Sequence, residues 1–368
     1  MTHQYPAQSA GVPWPTMAWP VDASHVGSDV DLSRVESALG GLFDHGIEPP
    51  DGSGISLATV VVHRGRIVAE RYGSQPDSVF GPGGVVDEST TLVSWSMAKS
   101  ITHALVGLLV AEGRMHPSGR ADVAEWKGDD RASITLSDLL RMRDGLHFVE
   151  DYVADESGAV VSHVIDMLFG DGASDVAAYA RSRPLAHTPG SVWSYSSGTT
   201  NIISSLIADV LDTDASTRGE SMSAFITDRL LAPLGMTSAV PRFDDAGTFI
   251  GSSYVYATAR DFARFGYLYL RGGEWDGREL LPRSWVDTAF DMHAVDPESG
   301  HGYSNQWWLW KGRTDAAAAL GYEGQRTIVD TSRDLVVVHL GKWVAATAPR
   351  LDGLLNQIVE SFPVLGRQ

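Results

Sequence analysis

Two hydrophobic periods alternate along the chain. Residues 55–73, ISLATVVVHRGRIVAERYG, are two β-rich runs broken at Arg64-Gly65, which predicts an antiparallel hairpin. From Ser96 to about Gly113, SMAKSITHALVGLLVAEG is the most apolar stretch with helical spacing, and it ends on a glycine. Helical spacing recurs in ITLSDLLRMRDGL behind Thr135, in TTNIISSLIADVL, in MSAFITDRLLAPLGM and in DFARFGYLYLRGG. The period then returns to β in YSNQWWLW, GQRTIVDTS and LVVVHLGKW, before a closing helix in RLDGLLNQIVESF. The first fifty residues are rich in Pro, Gly and Asp and hold one helix near Asp31 to His45.

This order predicts an α+β fold. An antiparallel sheet flanked by helices is assembled from residues 1–120 and 246–368, with a mostly helical domain, 121–245, inserted between them. A length of 368 residues suits one large domain with an insertion, or two domains.

Charge and composition then narrow the function. The net charge of −18 and the lack of any basic block argue against nucleic acid and anionic membranes as partners. With no cysteine, disulfides, thiol catalysis and thiolate metal sites are excluded. The N-terminus lacks a basic and apolar signal pattern, and no run reaches the ~18–20 apolar residues of a membrane span, so a cytoplasmic protein is expected. The twelve histidines form no H-x-x-x-H or H-E-x-x-H, and there is no G-x-S-x-G, G-x-G-x-x-G after a strand, or P-loop. No cofactor or metal is expected.

One constellation does carry chemistry. Ser96 and Lys99 stand three apart at the start of the apolar helix and so share a face. A serine hydroxyl needs a base, and a lysine serves as one when burial pushes it toward its neutral form. The helix N-terminus adds positive potential, which lowers the lysine's proton affinity and favours an oxyanion beside Ser96. Alone, the pair also fits a capping serine and a solvated lysine. A third partner is available in PGSVWSYSSGTTN, where Tyr195 precedes a helix and can shuttle a proton between serine and leaving group.

Six segments in order, SMAKS, LLRMRDGLHFVEDYV, WSYSSGTTN, TARDFARFGYLYLRGG, NQWWLW and GYEGQRTIVD, extend this pattern over about residues 55–345. Together they resemble the serine β-lactamase and penicillin-recognising superfamily. Within it the resemblance is greatest to class C-like carboxylesterases and to 6-aminohexanoate-dimer (nylon oligomer) hydrolases. The resemblance implies a β-lactamase-like fold with the site between sheet and helical domain. It implies Ser96 as acylated nucleophile, Lys99 as general base and Tyr195 as the group that returns the proton. Tyr152 matches a tyrosine placed over the bound amide. The oxyanion would be held by the Ser96 N–H and a strand amide near Leu320. Trp307, Trp308 and Trp310 can line an apolar cleft, although a strand of alternating burial explains them equally.

Two departures bear on substrate. Tyr195-Ser196-Ser197 replaces the Tyr-x-Asn of class C enzymes, and DAAAALGYEGQ contains no lysine where they carry Lys-Thr-Gly. That lysine helps bind the antibiotic's carboxylate, so a small ester or linear amide is expected in place of a β-lactam. A D-amino-acid peptidase or amidase, an acyl-transferase and a non-catalytic ligand-binding relative remain alternatives. Whether the chain forms a homodimer stays open.

Overall fold

The computed structural model describes residues 3–47, 52, 54–77, 82–151, 153–154 and 160–366. The predicted hairpin forms from β1 (Gly54–His63) and β2 (Arg66–Tyr72), with His63 opposite Arg66. Arg64 and Gly65 turn the chain at φ of 50° and 80°, the left-handed pair that a two-residue hairpin loop requires.

Six later strands complete the sheet: β3 (Ala294–Val295), β4 (Gly302–Tyr303), β5 (Trp308–Leu309), β6 (Ala316–Gly321), β7 (Gln325–Asp330) and β8 (Leu335–Trp343). The order is β3-β4-β5-β6-β7-β8-β1-β2, antiparallel throughout. Val60 faces Val338 where the N-terminal hairpin joins the C-terminal strands, so the sheet closes only when both ends of the chain meet.

Each face of the sheet is covered. Alternation along β6 sends Ala316 and Ala318 to one side, with Leu39 and Leu42 of α1 (Leu32–Phe43) and Leu351 and Leu355 of α6 (Ala348–Glu360). Ala317 and Ala319 go to the other side, with α2 (Ala98–Ala111) and α5 (Ala259–Leu270). Between α2 and α5 the chain is mainly helical and includes α3 (Leu136–Leu140) and α4 (Ser197–Leu211). Thr135 and Asp138 form a capping box at the start of α3.

YSNQWWLW does not form one continuous strand. Gln306 takes a left-handed φ of 58°, and the chain turns between β4 and β5. The cause is the Gln306 side chain, which donates to Leu139 O and Leu140 O at 3.2 and 3.1 Å and accepts from Thr200 at 2.7 Å. Among the described residues, no helix is long and apolar enough to cross a membrane.

Candidate active site

Ser96 lies in a 3-10 turn, Trp95–Met97, that runs directly into α2. The preceding Trp95 has a φ of 42°, unusual for a bulky residue. Its neighbours hold it there. Ser94 is fully buried, pairs with Val255 through backbone and hydroxyl, and donates to Ser253 O at 3.1 Å. The Trp95 indole donates to Glu323 at 3.0 Å.

Lys99 is 2% exposed. Its ammonium donates to Ser96 Oγ at 3.0 Å, Ser197 Oγ at 2.9 Å and Ser252 O at 3.0 Å. These three acceptors match the three protons of a charged lysine. Burial lowers its pKa to about 8, with Glu150 working in the opposite direction. Once neutral, Lys99 has a lone pair, and the contact with Ser96 inverts so that the serine donates.

Tyr195 stands across from this pair. Lys99 Nζ is 4.8 Å from the centre of its ring. Its hydroxyl is in hydrogen-bonding reach of the Ser96 side chain and of the Trp308 indole. Burial first, and then the negative charge of Glu150, raises its pKa far above the usual phenol range. Burial thus favours the protonated form of Tyr195 and the neutral form of Lys99, the directions that suit an acid and a base.

The structure thus brings together Ser96, Lys99 and Tyr195. The other expected residues fare differently. Trp307 does not line a cleft: it is fully buried, stacked on Phe265 and packed against Tyr269 at 4.4 Å. Its neighbour Trp308, the first residue of β5, packs against Tyr195 with ring centres 5.2 Å apart. Trp310 is fully buried on the opposite face of the sheet. The Leu320 side chain also turns to that rear face, so this residue can serve the site only through its backbone. Tyr152 lies outside the described residues.

The end of β6 approaches Ser96 closely. A methyl group on Gly321 would sit 2.5 Å from Ser94 O and 3.2 Å from Ser96 N. Pairing of β6 with β7 runs to Gly321, whereas pairing with β5 stops at Ala318. The tail of β6 therefore presents backbone beside the Ser96 amide.

Four contributors were not legible from the motifs: Glu150, Ser197, Ser252 and Asn201. Glu150 accepts from the Ser197 N–H at 2.7 Å and the Ser197 hydroxyl at 2.5 Å, at the N-terminus of α4. Ser197 links that carboxylate to Lys99. Ser252 supplies the carbonyl, and Asn201 fixes it by accepting from Ser252 N at 3.1 Å. Glu150 is the single glutamate of the FVEDYV segment, two residues before Tyr152. No group of three or more His, Cys, Asp or Glu that could hold a metal occurs among the described residues.

Comparison with known proteins agrees with this architecture. The beta-lactamase family profile matches residues 39–354. A 6-aminohexanoate-dimer hydrolase of Paenarthrobacter ureafaciens is 24% identical over 318 residues, spanning 82% of this chain and 76% of that protein. A Bacillus anthracis structure designated a 6-aminohexanoate-dimer hydrolase superposes with a TM-score of 0.68 at 22% identity, covering 98% of this chain and 91% of the other. A family VIII carboxylesterase superposes at 0.64 with 15% identity, covering 90% and 98%. The chain belongs to the beta-lactamase family, and within that superfamily it is a serine hydrolase.

Proposed function

We propose that the chain hydrolyses small, neutral esters or linear amides through an acyl-enzyme on Ser96. The observation that carries this reading is Lys99, buried from water, in hydrogen-bond contact with Ser96 Oγ and pushed toward neutrality. Neutral Lys99 takes the Ser96 proton as Oγ attacks the carbonyl carbon. The resulting oxyanion faces the Ser96 N–H and an amide from the tail of β6. As the tetrahedral centre collapses, Tyr195 protonates the departing oxygen or nitrogen and recovers a proton from Lys99. Water then attacks the ester on Ser96 by the same steps in reverse.

The relatives support the substrate class, since one is named a 6-aminohexanoate-dimer hydrolase and a structural neighbour a carboxylesterase. The chain has no lysine in residues 315–325, which disfavours a β-lactam carboxylate. Steady-state assays on p-nitrophenyl butyrate, 6-aminohexanoate linear dimer and nitrocefin test the proposal, with Ser96→Ala alongside. Ester or dimer turnover that vanishes in Ser96→Ala supports it. Nitrocefin as the best substrate, or full activity in Ser96→Ala, refutes it.

A further inference from the structure

The tip joining β6 to β7, residues 321–325, has all five backbone carbonyls held by side chains. Arg326 Nη1 donates to Gly321 O and Gln325 O, both at 3.0 Å. Gln325 Nε2 donates to Tyr322 O at 3.0 Å and Glu323 O at 3.4 Å. His339 Nδ1 meets Gly324 O at 2.7 Å, which places the proton on Nδ1 and makes Nε2 the acceptor of the Ser56 hydroxyl at 2.8 Å. Arg326, Gln325 and His339 are all buried, so these bonds do not compete with water.

A guanidinium is an expensive group to bury. Its countercharge comes from α6, where Asp352 Oδ1 lies 3.3 Å from Arg326 Nε. The other oxygen, Oδ2, meets Lys311 at 3.2 Å and His301 at 3.3 Å. A well-packed apolar cluster would stabilise a hairpin as well or better. What an apolar side chain cannot do is hold a carbonyl in a set direction.

That direction matters because this tip is the segment against Ser96. A trans peptide points its N–H opposite to its C=O. With the Gly321 carbonyl held on Arg326, the N–H of the same peptide, at Tyr322, is turned to the other side of the strand.

We propose that Arg326 is a positioning residue for the reaction: by holding the Gly321 carbonyl behind the strand, it keeps the Gly321–Tyr322 peptide aimed at the oxyanion that forms on Ser96. Asp352 fixes Arg326 in turn. The inference rests on the serine-hydrolase reading above.

The test uses Arg326→Met, Arg326→Lys and Asp352→Asn in the full chain, each checked for folding by circular dichroism. Two quantities are read: kcat and KM on p-nitrophenyl butyrate, and the affinity of a phenylboronic acid. Boronates bind a serine nucleophile as a tetrahedral anion and so probe the oxyanion site. Losing one oxyanion donor costs about 10²–10³ in kcat, and loss of aim costs less. Arg326→Met should lower kcat by about 10- to 100-fold with KM within about twofold, and boronate affinity should fall in step. Arg326→Lys keeps a cation beside Asp352 without the forked reach and should fall between Met and wild type. The pH profile should not shift, because Arg326 is not among the groups that tune Lys99. Folded variants with kcat within twofold of wild type overturn the proposal, as does a kcat loss with unchanged boronate affinity. If both Arg326 variants unfold, Asp352→Asn decides by the same two readings. A wild-type protein that neither turns over ester nor binds boronate refutes the hydrolase reading itself, and the positioning role with it.

Discussion

At the scale of the residue, the proposed reaction depends on two opposed pKa shifts. Lys99 is driven down toward neutrality and Tyr195 up, so the proposed base and acid are set apart by burial in one small volume. The log of kcat/KM should rise with pH through about 8 as Lys99 loses its proton, and a pH-rate profile on an ester checks this. Glu150 raises the Lys99 pKa, so Glu150→Gln should move that inflection to lower pH. An inflection that stays in place or moves up would remove Glu150 from the base's environment. Tyr195→Phe should cost amide substrates more than esters, since an amine must be protonated as it leaves and a phenolate need not be. Losses of about 10²–10⁴ on the amide are expected. Equal losses on both would argue against Tyr195 as the acid.

At the scale of the element, short-range features were the legible ones. The Arg64-Gly65 turn, the helix beginning near Asp31 and the Ser96–Lys99 spacing are each encoded within a few residues, and all are present in the structure. The ligands of Lys99 are not local. Ser197 and the Ser252 carbonyl come from 98 and 153 residues away, brought in by packing of α4 and the 252–255 segment on α2. Trp307 shows the same limit, because period-2 alternation does not say which face of a strand is core. Nor did YSNQWWLW reveal its turn, since nothing in the types of residues 304–307 signals that Gln306 will bridge three helices. Gly321 is the element-scale prediction. Gly321→Ala places a methyl against Ser94 O and Ser96 N, so the tail of β6 or the nucleophile turn must shift. A drop of about 10²–10³ in kcat is expected, read by single-turnover kinetics, with folding retained. Near-wild-type turnover would mean that this strand end does not contact the reacting centre.

For the whole molecule, the candidate site sits where three parts of the chain converge: α2 with the Ser96 turn before it, the helical region before α5, and the C-terminal strands. Gln306 joins all three. Its side chain bonds α3 and α4, and its carbonyl accepts from Ser100 of α2 at 2.9 Å. Gln306→Leu removes the acceptor of the buried Thr200 hydroxyl and the side-chain donor to Leu139 O and Leu140 O, which keep the N–H groups of Met142 and Gln306, and should destabilise the protein by about 2 kcal/mol in urea unfolding. A loss under about 1 kcal/mol would show that these groups find other partners. Asp352 gives a pH test of the rear of the sheet. Burial alone would raise its pKa, but the His301 hydrogen bond and the Arg326 and Lys311 charges hold it well below the usual carboxylate range. The folded state therefore binds this proton more weakly than the unfolded chain. Its stabilisation is present above about pH 4 and is lost as the pH falls below that value. The thermal midpoint of wild type should fall more steeply between about pH 5 and pH 3 than that of Asp352→Asn.

The most direct test of the account is labelling with a fluorophosphonate, read by intact-protein and peptide mass spectrometry across pH. One adduct on Ser96 is predicted, forming faster as pH rises through about 8 and at least tenfold more slowly in Lys99→Met. An adduct on another residue, no adduct at all, or a Lys99→Met variant that labels as fast as wild type would contradict a lysine-activated Ser96.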